Sequence, residues 1–375
     1  MHETELRHLE GSAALKERMS AISGRKPNAS QVAFASSCLL HGRMFWESAD
    51  RATLETSPLL RYYGAAAFAK ALVIAYTACQ PQDLKQAHGL SCSAPNGELI
   101  SDFRMKASST GLFQEFNDVV APLNRTTYID NDGEQIRTIP AAGSNALGNF
   151  DVSLDDCFAR TVGIEKAYRL CTGRGQKMLN LYPMQGYGRV GETFSIQVEA
   201  PGPVNTAEGL ASALAALRAR APFLAKWRPL EANATYGKNN ITFINLAPPA
   251  TEIQEMTHAG RQGFVLQAVG LGQANPFDPF DGMPPLTGGW NDLPGVAYLD
   301  PISGVDVSEY SITLAALLGL SSLVRYRPHT WTACVHRRPI GGRAVDDAIL
   351  PVIEEFLDIV KSSFPQFVAK TLLTD

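Results

Sequence analysis

The sequence predicts an α+β protein dominated by helix, and three observations carry that expectation. Apolar residues recur at helical spacing between Ser30 and Cys79, and again between Glu309 and Leu373. Between these blocks the period shortens, so that Thr193–Glu199, Ile241–Leu246 and Gly263–Val269 read as strands around an alanine-rich helix, Ala207–Arg220. The expected layout is therefore residues 1–29 as a short helix and linker, 30–175 as an N-terminal helical part, 176–305 as a smaller mixed α/β insertion, and 306–375 as a C-terminal helical part completing the first core.

Element by element, residues 1–29 are polar with alternating charges, and Gly24, Lys26 and Pro27 separate them from the next segment. Val32, Phe34, Leu39, Leu40, Met44 and Phe45 then mark an amphipathic helix over Ser30–Asp50 with a polar cap at its start. Pro58 opens a second helix at its first turn, running to about Cys79; its alanines and Gly64 point to another helix packed closely against it. Pro81 ends it before Ala87-His88-Gly89-Leu90. Residues 121–150, rich in Pro, Asn, Asp and Gly, read as a long ordered loop or short strands, and Leu154–Leu170 returns to helical spacing. The Gly- and Pro-rich loop 270–294, which precedes Gly295–Leu299, exceeds ordinary connection lengths and so is expected to be functional or mobile. Glu309–Val324 and Val345–Leu373 close the chain, the latter interrupted by Pro365.

An apolar content of 45% with 19% charged residues is that of a globular protein with a sizeable core. With 33 basic and 37 acidic side chains the formal charge is −4, so any polyanion site must be local. The six cysteines show no C-x-x-C pair, which argues against a zinc knuckle. The N-terminus lacks the apolar core of a signal peptide, and the apolar run Gly64–Cys79 carries Lys70 and is short for a bilayer span. These features predict a cytoplasmic protein with no membrane partner.

The local field is found at Tyr310–Val345, which holds Arg325, Arg327, Arg337, Arg338 and Arg343 with His329 and His336 and has no acidic residue. Tyr326 and Trp331 lie among them, and guanidinium groups beside aromatic faces suit phosphates and stacked bases. The competing structural reading is that Arg and Trp after a helix cap its carbonyl end and cover the core, with Arg325 paired to Glu309 or Glu47.

Other motifs carry less. Gly186-Tyr-Gly188-Arg-Val-Gly191 has dinucleotide-fingerprint spacing but precedes a strand, so it reads as a hairpin turn. Asp278, Asp281 and Asp292 sit among prolines and glycines and read as turn residues rather than metal ligands. His41 and His88 are of the right type for proton transfer, or for holding a loop through a carbonyl. No G-x-S-x-G elbow, H-E-x-x-H helix or Walker loop is present, and the sequence calls for no metal or cofactor.

Three stretches together resemble the YaaC-like family of bacterial proteins: Pro58-Leu-Leu-Arg-Tyr-Tyr-Gly64 running on to Ala69–Leu72, His88-Gly89-Leu90 with Gly111-Leu-Phe113, and Leu323–Trp331. Phe364-Pro365 fits the end of that pattern. A weaker resemblance is to the helical HEPN superfamily, many of whose members are ribonucleases or parts of toxin and phage-defence systems. That resemblance implies an N- and C-terminal helical bundle. It also implies a metal-independent ribonuclease with Arg325 and His329 as the catalytic pair, although the spacing between them departs from the superfamily's Arg-to-His motif.

The resulting expectation is a nucleic-acid or phosphate-ligand binding component, in an antiviral defence setting. RNA or DNA would be held by Tyr62, His88, Arg327, Trp331, His336, Arg337, Arg338 and Arg343. The alternative is a non-catalytic scaffold that forms a homo-oligomer or holds a partner protein.

Overall fold

A computed structural model describes residues 2–93, 99–121, 123–130, 133–140, 147, 150–188, 191–235, 238–244, 250–258, 261–269, 286–287, 296–336 and 347–373. In chain order these form α1 (His2–Leu9), α2 (Ser12–Ser23), α3 (Ala29–Arg51), α4 (Ser57–Thr77), β1 (Leu90–Ser93), β2 (Arg104–Ala107), α5 (Leu112–Val120), β3 (Leu123–Asp130), β4 (Gly133–Pro140), β5 (Asp151–Ser153), α6 (Leu154–Phe158), α7 (Glu165–Thr172), β6 (Met178–Gly188), β7 (Gly191–Glu199), α8 (Ala207–Arg220), β8 (Arg228–Thr235), β9 (Lys238–Ile244), β10 (Ala250–His258), β11 (Arg261–Val269), β12 (Leu286–Thr287), β13 (Val296–Leu299), α9 (Glu309–Tyr326), α10 (Pro328–Val335) and α11 (Leu350–Leu373). The class is α+β and mainly helical. Two compact units divide it: Met1–Ala121 with Asn145–Lys177 and Pro301–Asp375, and Pro122–Ser144 with Met178–Asp300. Segment 122–144, read from sequence with the N-terminal helices, thus groups with the second unit.

In the first unit α4 is the central helix, with α2, α3, α5, α9 and α11 around it. Small residues let α3 come close. A Cβ at Gly64 would stand 2.8 Å from the Trp46 ring and 3.0 Å from the Gly42 carbonyl, and one at Gly42 would meet Phe68. One buried amide fixes the hairpin's open end: Gln31 completes a capping box with Asn28, and its Nε2 donates to the carbonyls of Ala78 (2.6 Å) and Cys79 (3.1 Å) where α4 stops. Instead of one short helix and a linker, the N-terminal segment forms both α1 and α2, which bury Leu6, Leu9, Leu15 and Met19.

Pro365 does not interrupt α11. A proline deprives the carbonyl four residues earlier of its helical donor. Here that carbonyl, Lys361, accepts from the Trp46 indole Nε1 at 2.8 Å.

Leu154–Leu170 is not one helix but two, broken around Gly163 at φ +97°. Ser153 caps α6 with Asp156 in a capping box. Asp156 also takes the Lys177 ammonium at 2.6 Å, while Asp155 takes Arg174 at 2.6 Å and the Tyr168 hydroxyl at 3.1 Å. Burial pushes the Asp156 carboxyl up, but the Lys177 bond and the Ser153 donors outweigh it and bring it to about 2.

The second unit is an antiparallel sheet in the order β10-β11-β8-β9-β7-β6-β13-β12, together with the hairpin β3–β4. Alternate residues of its central strands, Leu179, Leu181, Ile196, Val198, Ile241 and Phe243, share a core with Leu210, Ala213 and Leu217 of α8 and with Trp227. The strand Met178–Gly188 escaped the sequence reading. The Gly186–Gly191 pattern sits where β6 turns into β7, with Gly188 opposite Gly191. Asp278, Asp281, Asp292 and nearly all of the 270–294 loop lie outside the described residues. Among the described residues no helix is long and apolar enough to cross a membrane.

Candidate functional site

The site begins with two glycines. Gly89, at φ +79°, and Gly111, at φ +138°, are backbone conformations that side chains rarely adopt. They also touch: a Cβ on Gly89 would lie 3.0 Å from the Gly111 Cα. The contact lets the first N–H groups of α5 reach the turn, Leu112 donating to the Ala87 carbonyl (2.9 Å) and Phe113 to that of His88 (3.0 Å). The otherwise unpaired donors of a helix start thereby hold the His88 backbone in place.

From that turn the His88 ring meets α4. Its Nδ1 lies 2.6 Å from the Tyr62 hydroxyl, and the two rings pack edge to face at 5.5 Å. Burial pushes the Tyr62 phenol well above its ordinary value, with Arg325 opposing, so Tyr62 keeps its proton. Burial first, then the charges of Arg325 and Lys70, hold His88 below the ordinary histidine value. With Tyr62 as the donor, the neutral ring carries its own proton on Nε2, and in either tautomer Nε2 is the ring nitrogen that Tyr62 does not engage.

His88 lines a cavity of about 310 Å³ between α3 and α4. Phe34, Phe45, Tyr63, Ala66, Ala67 and Leu112 give it apolar walls, while Lys70, His41, His88 and Gln86 are its polar groups. Cys38, also in its lining, has its thiol pushed up to about 11 by burial against the opposing pull of Lys70, so it is no thiolate at neutral pH. Among the described residues no carboxylate lines the cavity.

Beside it, Arg325 at the end of α9 places its guanidinium 4.8 Å from the Tyr326 ring centroid and 5.9 Å from that of Tyr63, which in turn packs on Phe45 at 5.6 Å. Its Nε is buried without a hydrogen-bond partner, and among the described residues no carboxylate pairs with it. The expected pairing with Glu47 or Glu309 is not found. Glu47 takes Arg43 at 2.6 Å, and Glu309 stands at the opposite end of α9. Near the guanidinium, Cys92 accepts a hydrogen bond from Ser322 at 3.3 Å, and burial raises its thiol.

Of the residues singled out in the sequence, Tyr62, His88, His41 and Arg325 come together here. His329 stands exposed on α10, and Arg327, half-buried, ends α9. Trp331 is 1% exposed, and its indole donates to the Glu55 carbonyl at 3.1 Å, which uses its ring for the core. His336 pairs with the Glu55 carboxylate at 3.1 Å. Arg337, Arg338 and Arg343 lie outside the described residues. Sequence reasoning passed over Lys70, although a lone charge inside the apolar run Gly64–Cys79 was the signal for it, and did not single out Tyr63, although it stands in the Pro58–Gly64 stretch.

The model of the family described as YaaC-like Protein matches residues 10–202, just over half of the 375-residue chain. It contains Pro58–Gly64, His88–Leu90 and Gly111–Phe113 but not Leu323–Trp331. No curated protein and no solved structure matches the chain. The match takes in both glycines of the turn, the Tyr62–His88 pair and every described residue that lines the cavity, and with more than half of its length matched the chain belongs to the YaaC-like family.

Proposed function

We propose that the protein binds a phosphate-bearing nucleotide ligand, free or at the end of a nucleic-acid strand. One observation carries the reading: Lys70, His88 and His41 converge on an apolar-walled cavity that no acid lines among the described residues, with Arg325 beside it. Phosphate would sit on the cationic side and a base against Phe34, Phe45 and Tyr63. Arg325 belongs both to this cleft and to the basic segment 325–343, so a strand bound at the cavity would run on toward that segment.

The test is to purify the protein at low salt, extract bound material, and compare its ultraviolet absorbance ratio before and after a high-salt wash with that of the Lys70→Gln/Arg325→Gln double variant. Nucleotide material released by salt from the wild type and absent from the variant supports the reading. Clean wild-type protein that also fails to bind added nucleotides removes it.

A HEPN-type ribonuclease within a defence system has less support. The Arg325 guanidinium lies over the Tyr63 and Tyr326 rings, and His329 stands exposed on a different helix. The reading as a scaffold is favoured by Leu40 and Met44, 38% and 53% exposed on α3 beside Phe45. It predicts a stable oligomer by light scattering that Met44→Glu dissociates.

A further inference from the structure

We infer that the cavity's ligand is a phosphate monoester, and that His88, held by Tyr62, is the residue that selects it over an internal phosphodiester. The inference rests on the nucleotide-binding reading and specifies its chemistry.

Size comes first. A cavity of about 310 Å³ is at the small end of ligand sites, which suits one nucleotide unit with a terminal phosphate rather than a chain threaded through. Charge comes second. A phosphate monoester near neutral pH carries close to two negative charges on three terminal oxygens, whereas a diester carries one charge on two. Lys70 lines the cavity, Arg325 stands beside it, and His88 is a third group that can become a cation.

The groups around that third group, His88, come from several elements. From α4 come Tyr62, Tyr63 and Lys70; from α3, His41 and Cys38; from α9, Arg325; and from β1, Cys92. From α5 come the two backbone N–H donors to the turn, while its Glu115 accepts from the Lys85 N–H. Burial and the charges of Arg325 and Lys70 hold His88 down, and those two charges are the ones a bound phosphate would neutralise. With their field cancelled and a dianion beside Nε2, His88 takes up a proton and becomes a charged donor. The bond to Tyr62 survives, because a hydroxyl accepts from Nδ1–H as readily as it donates to a bare Nδ1. A monoester thereby gains a charge-assisted bond that a diester, with half the charge, draws out less strongly.

Titration calorimetry of the full chain near pH 7, in two buffers of different ionisation enthalpy, tests this. The probes are adenosine 5′-monophosphate, its 5′-methyl phosphodiester, adenosine, and one oligonucleotide with and without a 5′-phosphate. The monoester is expected to bind about tenfold or more tighter than the methyl diester, with net proton uptake of a fraction of one proton, and adenosine to bind far more weakly than either. His88→Gln should abolish the uptake and bring monoester and diester within about threefold of each other, the monoester losing more affinity than the diester. Tyr62→Phe, which keeps the ring but frees Nδ1, should reduce the preference and supports the assignment if His88→Gln does not fold. A 5′-phosphate preference in the oligonucleotide identifies a strand end as the source, and binding of the mononucleotide alone identifies a free nucleotide; either agrees with the inference. Equal monoester and diester affinity, absent proton uptake, or a preference untouched in folded His88→Gln overturns it. Failure of every phosphate probe to bind removes the nucleotide reading itself.

Discussion

Trp46 supplies to α11 the hydrogen bond that Pro365 withholds. Its indole donates to the Lys361 carbonyl, four residues before the proline, so a helix with an internal proline runs unbroken from Leu350 to Leu373. The same indole ring stacks on Phe364 at 5.8 Å and has the Arg61 guanidinium 5.3 Å from its centroid. Trp46→Phe should therefore cost about 1–3 kcal/mol, the penalty for orphaning a buried acceptor. In a Pro365→Ala background the restored N–H serves that carbonyl, and the cost of Trp46→Phe should drop by about 1 kcal/mol. A double-mutant cycle by chemical denaturation reads the coupling; additivity within about 0.3 kcal/mol would show that the two residues are independent.

The Gly89–Gly111 contact predicts a sharp difference between glycines. Gly111→Ala combines a positive φ with a clash against the Gly89 backbone, and should cost about 2–4 kcal/mol while displacing His88. Gly175→Ala, with nothing within 4 Å, should stay within about 0.5 kcal/mol of wild type. Denaturation midpoints of the two variants decide it.

Arg61 is buried, with an ion pair to Asp50 at 2.8 Å and, among the described residues, no hydrogen-bond partner for its Nε and Nη1. Removing the partner strands the charge, whereas removing the charge does not. Asp50→Ala should cost about 2–3 kcal/mol, below the fully buried limit because Asp50 is 33% exposed. Arg61→Met, which keeps volume without charge, should cost less. If thermal unfolding ranks the two the other way, the Arg61 charge is itself the stabilising element.

Acid sensitivity should come in part from Asp156. Its folded-state value near 2 lies below the ordinary 3.8, so the folded protein binds fewer protons there than the unfolded chain. The stability this gives is fully present above about pH 4 and is lost as pH falls toward 2. It amounts to roughly 1–2 kcal/mol. Asp156→Asn should lower stability near neutral pH and flatten the acid arm of a stability–pH curve; parallel curves for variant and wild type would count against the assignment.

How legible this was in the sequence depended on whether the deciding contact was local. Ala207–Arg220 forms a helix with the bounds its alanine-rich pattern suggested, and Pro58 opens α4 as a first-turn proline should. Pro365 reads as a helix break because its compensation comes from Trp46, far away along the chain, and no periodicity reports an indole donor. His88 and Tyr62 stood out as residue types, but their partnership depends on two glycines meeting across the turn. Trp331 looked suited to stacking in a basic stretch, yet the helix it belongs to turns it inward. Lys70 was visible as a charge in an apolar run, and only the geometry of α3 against α4 shows that it faces a cavity.

The most direct test of the central claim is equilibrium binding of a 5′-phosphorylated, 3′-labelled single-stranded oligonucleotide, followed by fluorescence anisotropy over a salt series with wild type and Lys70→Gln. The account predicts affinity that falls steadily with salt, about tenfold or more weaker binding by the folded variant, and a shallower salt slope once one phosphate contact is gone. Binding indifferent to salt, or unchanged in Lys70→Gln, would contradict it and take the cavity between α3 and α4 out of the protein's function.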